Sequence, residues 1–156
     1  MSFTWTLRPG GWADCHVEDS RGHATARVSY ITPAPEEFLS AVTRLVLGAT
    51  EQRVQFKAEP QGFRWIFTRD HKEVDICLLE LPYDTDPDAS GTVIWASRQP
   101  IDTLARTVIR AFDHVEFDHS EDGYLEHWRS PFPRHELEAL RTAWHSTQQA
   151  RDTTPE

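Results

Sequence analysis

Lysine is almost missing from this chain of 156 residues: of 16 basic residues only Lys57 and Lys72 are lysine, and Lys and Arg form no cluster along it. Against 25 acidic residues this leaves a formal charge of −9, which repels a phosphate backbone and excludes nucleic acid as an expected partner. Cysteine is scarce as well. Cys15 and Cys77 stand far apart in strand-like segments, in no metal or redox spacing, and read as reduced core thiols. No stretch approaches the roughly 18 consecutive apolar residues that cross a bilayer. Residues 1–8 lack the basic start and apolar run of a secretory leader, so the chain reads as cytoplasmic and free of membrane. None of the seven glycines belongs to a phosphate loop, a dinucleotide fingerprint or a Gly-x-Ser-x-Gly elbow. The common cofactor enzymes are thereby disfavoured and no cofactor is expected.

Aromatic side chains are abundant, with six Trp, eight Phe and three Tyr, so the core is aromatic-heavy. Three extended segments, near residues 3–7, 13–17 and 25–31, are separated by Pro9-Gly10-Gly11 and by Asp19-Ser20-Arg21-Gly22. Pro33 to Glu37 opens a helix whose inner stripe is Phe38, Val42, Leu45 and Val46, with Gly48 as its stop. Val54, Phe56 and Ala58 alternate towards a turn at Glu59-Pro60-Gln61-Gly62, of type I by its proline and glycine, and Phe63, Trp65 and Phe67 return. Val74 to Leu81 reads as a central strand and Thr92 to Ser97 as another. Pro100 opens a second helix carrying Ile101, Leu104, Val108, Ala111 and Phe112. A polar stretch from Asp113 to Gly123 leads to a short helical piece, and a last helix carries Leu137, Leu140 and Trp144. The order predicts an α+β fold: a mainly antiparallel sheet of six or seven strands with helices on one face. Residues 1–145 form the single domain, and 146–156, without an apolar anchor, a disordered tail.

The ending Tyr124-x-x-x-Trp128-x-x-x-Phe132-Pro133, followed by a helix, is similar to the endings of small bacterial α+β proteins, some of which are immunity proteins paired with toxins. The resemblance spans about ten residues. It implies a non-catalytic role in neutralising a partner and brings no catalytic residues with it.

Two acidic stretches are the candidate surface for a basic protein partner: Asp84, Asp86 and Asp88 in one, and Glu116, Asp118, Glu121 and Asp122 in the other. The same region offers an alternative. With Val115 and Phe117 inward on a short strand, His114, Glu116 and Asp118 share its outer face, and with His119 nearby this is a ligand set for a divalent metal in a small hydrolase that borrows His127 or His16. The loop from Asp84 opens like a calcium loop but has Ala89 at the glycine position and Trp95 at the twelfth. His135-Glu136 has no second histidine four residues on, and Cys15 and His16 point to opposite faces of a strand. A third alternative is a small-molecule sensor with an apolar cavity between the sheet and the first helix, anchored by Glu59 and Arg64.

Overall fold

A computed structural model describes residues 1–154. Strands β1 (Ser2–Arg8), β2 (Trp12–Asp19) and β3 (Gly22–Ser29) follow from strict alternation, burying Phe3, Trp5 and Leu7, then Ala13, Cys15 and Val17, then Ala24, Ala26 and Val28. Helix α1 (Ala34–Val46) begins with proline and glutamate in its first turn, as the missing amide partners and the dipole there favour. Then come β4 (Glu51–Lys57), β5 (Gly62–Asp70), β6 (Glu73–Leu81), β7 (Thr92–Pro100), α2 (Ile101–Trp128) and α3 (Arg134–Asp152).

The fold is α+β, but the single sheet of six or seven strands divides into two antiparallel sheets, β1-β2-β3 and β4-β5-β6-β7. The periodicity that places residues in strands does not say which strands share hydrogen bonds. Here α1 carries the chain away between β3 and β4, and β3 packs across the second sheet instead of joining it. Its inner side chains are small enough for that close approach. At one end Trp95 Nε1 on β7 donates to the Gly22 carbonyl at 3.3 Å, and Ser97 Oγ donates to Asp19 at 2.7 Å. The β4–β5 turn also departs from type I, with Glu59–Pro60 cis and Glu59 at φ 46°.

The core lies between the two sheets and the helices. Phe38 of α1 stacks on Phe3 at 5.1 Å and meets Trp65, Phe67 and Phe56 at 5.2, 5.8 and 6.1 Å, so both sheets converge on one ring cluster. Trp5 is fully part of it, although its place near the N-terminus suggests partial exposure; Trp12 is half-buried.

Two segments differ from the sequence pattern. The polar stretch 113–123 is helical: Val115 continues the stripe of Val108 and Phe112 at helical spacing, and the alternation of Val115 with Phe117 is incidental. The last helix runs on to Asp152, past the end of its apolar stripe, because its polar side chains find partners on α2. Gln148 donates to Asp102 at 2.6 Å and Arg151 pairs with the same carboxylate. Pro155 and Glu156, the end of the expected tail, lie outside the described residues.

Burial pushes the Glu36 carboxyl above its ordinary value, and Glu136 and Glu37 add to the rise. A raised folded-state value means stability that is present below the unfolded value, about 4.3, and is lost as pH climbs through the folded one. Glu36→Gln should therefore gain on the wild type as pH rises from about 4 to 7. Urea midpoints across that range would show it.

Candidate functional site

The middle of α2 gathers most of the unusual features of the molecule, and helical geometry gives it four sides. Val108, Phe112 and Val115 face the core. One side faces α3, where Arg141 holds Asp113 through bonds of 2.6 and 3.1 Å. There Arg134 pairs with Glu116, with Glu121 at 3.2 Å and with Glu138 at 3.1 Å. Those carboxylates, Glu116 foremost, hold the Arg134 guanidinium well above its usual value. Three carboxylates share one cation, so the negative charge is only partly offset.

The side opposite the core carries Phe117, which is 87% exposed. In a chain whose other phenylalanines are buried, an aromatic ring left this exposed is the largest departure from the folding pattern.

The fourth side, with Thr107, His114, Asp118 and His119, borders an open groove of about 560 Å³ whose other wall is β1, and Arg110, two turns before Phe117, also lines it. His114 Nε2 lies 3.1 Å from Asp118, one helical turn on. Among the described residues Arg110 has no carboxylate within ion-pair distance.

At the end of the groove α2 kinks at Ser120, whose φ of 60° and ψ of 170° belong to a region favoured almost only by glycine. Ser120 Oγ accepts from the Gly123 amide at 3.2 Å and so caps the second half of the helix. The kink sets His127 beside His119, ring centroids 5.4 Å apart, with His127 Nδ1 donating to the Gly123 carbonyl at 2.7 Å. Ser120→Gly should relieve strain at the loss of a few tenths for the cap, a net gain of about 1 kcal/mol. Ser120→Ala keeps the strain and loses the cap, a loss of about 1 kcal/mol. Opposite shifts of the two thermal midpoints would confirm both roles.

Helical spacing separates the proposed metal ligands. His114, Asp118 and His119 border the groove, with His119 also against His127, whereas Glu116 is turned to Arg134; the strand that would align them is not formed. Among the described residues no three His, Cys, Asp or Glu side chains group as a metal site requires.

The other acidic segment is anchored to the second sheet. Asp88 accepts from Arg53 at 2.6 Å and Arg64 at 2.7 Å, and those bonds hold its carboxyl below the usual range. Asp84 lies 3.7 Å from Lys57, and Asp86 accepts from the Tyr83 amide at 3.0 Å. Asp122 is exposed with no ion-pair partner among the described residues.

Arg64 is thus committed to Asp88 and Gln55 and does not anchor a cavity with Glu59. The space between the second sheet and α1 is filled by Phe38, Phe56, Trp65 and Phe67. Burial raises the Cys15 thiol well above its ordinary value, while His16, on the opposite face, is hydrogen-bonded to Thr25 at 2.9 Å. Arg110 and Thr107 escape a reading of motifs because neither belongs to one. Phe117 carries a signal in retrospect: it stands five residues after Phe112, off the apolar stripe.

Comparison with protein families, with curated proteins and with solved structures finds no match. What the geometry itself defines is an α+β protein with two antiparallel sheets and an exposed aromatic ring on an acidic helix.

Proposed function

We propose that this chain is a non-catalytic binding protein whose recognition surface is the outer side of α2, and that its partner is a basic protein, as for an immunity protein that neutralises a toxin. The observation that carries the reading is Phe117, 87% exposed on an acidic helix, with Asp113, Glu116, Glu121 and Asp122 within five positions of it in the chain. An aromatic anchor inside a charged rim is the composition of an interface hot spot: the ring supplies buried area on binding, and the rim speeds encounter and rejects wrong partners. The surplus of carboxylates over Arg134 and Arg141 supports a negative field here. In the loop at Asp84 to Asp88, Arg53, Arg64 and Lys57 largely offset the charge, so the proposal rests on α2.

The test is capture from lysate of the source cells followed by mass spectrometry, using wild type, Phe117→Ser and the double variant Glu121→Gln, Asp122→Asn. Since Phe117 is this exposed, its replacement should leave stability within about 0.5 kcal/mol. The expected result is one stoichiometric basic protein whose recovery falls at least ~10-fold in either variant and with added salt. Equal recoveries for all three proteins, or no retained protein, would overturn the proposal.

A further inference from the structure

We infer that the outer edge of β1 is a docking site for an extended peptide segment of a partner chain, which joins the first sheet as a fourth strand and lies in the groove against α2. Ser2, Phe3, Thr4, Trp5 and Thr6, five residues in succession, all line the groove. Successive side chains of a strand point to opposite faces, so a groove that touches all five runs along the hydrogen-bonding edge and not over either face.

That edge is open. β1 pairs with β2 alone, and among the described residues no backbone group of β1 bonds to the backbone of any other element. The other three edges carry the features that keep strands from adding. β3 packs across the second sheet; β4 presents Glu51, Arg53 and Lys57; β7 faces a register shift at Leu78/Leu79 and ends in Pro100. β1 pairs in unbroken register from Ser2↔Glu18 to Arg8↔Trp12 and holds no proline, lysine or bulge.

The walls describe the occupant. Residues 2–6 span about 13 Å of strand. The α2 wall from Thr107 to Asp118 is about 16 Å long, so the groove takes a lone strand of about five residues. Two copies of this chain joined edge to edge would each bring a whole sheet and an α2 into that space. Exposed Thr4 and Thr6 favour β-branched neighbours across the strand, and Arg110, without a carboxylate of its own among the described residues, favours an acidic side chain opposite it. The ligand class is therefore a β-branched extended segment bearing a carboxylate, held in a groove whose lining does not include Phe117.

The probe is a capped pentapeptide alternating threonine and valine around a central glutamate, titrated into the full-length protein and followed by amide resonances of residues 2–6 and imidazole resonances of His114 and His119. Saturable shifts with a Kd below about 1 mM are expected. Methylating alternate backbone nitrogens of the peptide should weaken binding at least ~10-fold, as should Arg110→Glu on the exposed face of α2. Replacing the peptide's glutamate by lysine should restore binding to Arg110→Glu, and Phe117→Ser should change nothing. Absence of saturable shifts, equal binding of the methylated peptide, or protection of the β1 amides by self-association in sedimentation would each overturn the inference.

Discussion

Trp128→Ala should destabilise the protein by about 4 kcal/mol, the cost of removing a buried aromatic ring into which its surroundings relax only partly. Trp128 has no exposed surface and meets Trp5 edge to face at 5.7 Å, so its loss opens a void between the end of α2 and the first sheet. Against a total stability of roughly 5–15 kcal/mol this leaves a small margin. Urea unfolding should show a much lower midpoint with an unchanged slope, since the loss is of packing and not of cooperativity. Trp128→Phe retains a ring, and should recover about half of the deficit. A loss below about 1 kcal/mol for the alanine variant would mean that the end of α2 is not packed as described.

Gly11→Ala should cost about 2–3 kcal/mol, large for a single methyl group in a turn. Gly11 has φ 83°, where an L side chain is strained, and an added Cβ would stand 2.3 Å from Cδ1 of Tyr30. Clearing the methyl would displace the Tyr30 ring from under Arg129, which lies over it at 5.4 Å. The Gly11 amide donates to the His127 carbonyl at 3.0 Å, and its carbonyl accepts from the Tyr30 amide at 2.9 Å. The glycine thus ties the β1–β2 turn both to the last turn of α2 and to the end of β3. Because Gly11 and Trp128 hold the same end of α2, the double variant should lose less than the sum of the two, by about 0.5–1 kcal/mol in a double-mutant cycle.

Most elements were legible in the sequence because each is defined by a local period. Ala24, Ala26 and Val28 alternate in β3, Phe38, Val42 and Leu45 recur at helical spacing in α1, and Leu137 and Leu140 mark α3; all are buried as the pattern requires. Residues 113–123 failed because the apolar positions fit two periods: Val115 and Phe117 suit a strand, whereas Val115 with Phe112 and Val108 suits a helix, and packing against the first sheet and α3 decides for the helix. The extent of α3 failed for a related reason. Gln148 and Arg151 are polar in any local reading, and only Asp102, nearly fifty residues earlier, makes them anchors.

The chain's own sequence determined its α+β composition, its buried aromatic core and its acid excess, all properties of residue type and short-range spacing. Tertiary structure alone decided that the strands form two sheets, that Arg53, Arg64 and Lys57 meet the acidic loop while Arg110 meets no carboxylate among the described residues, and that Phe117 faces solvent. The physical reason is range. A residue's preference for helix or strand is settled within a few neighbours, whereas the pairing of strands and the neutralising of charges depend on residues brought together from distant parts of the chain.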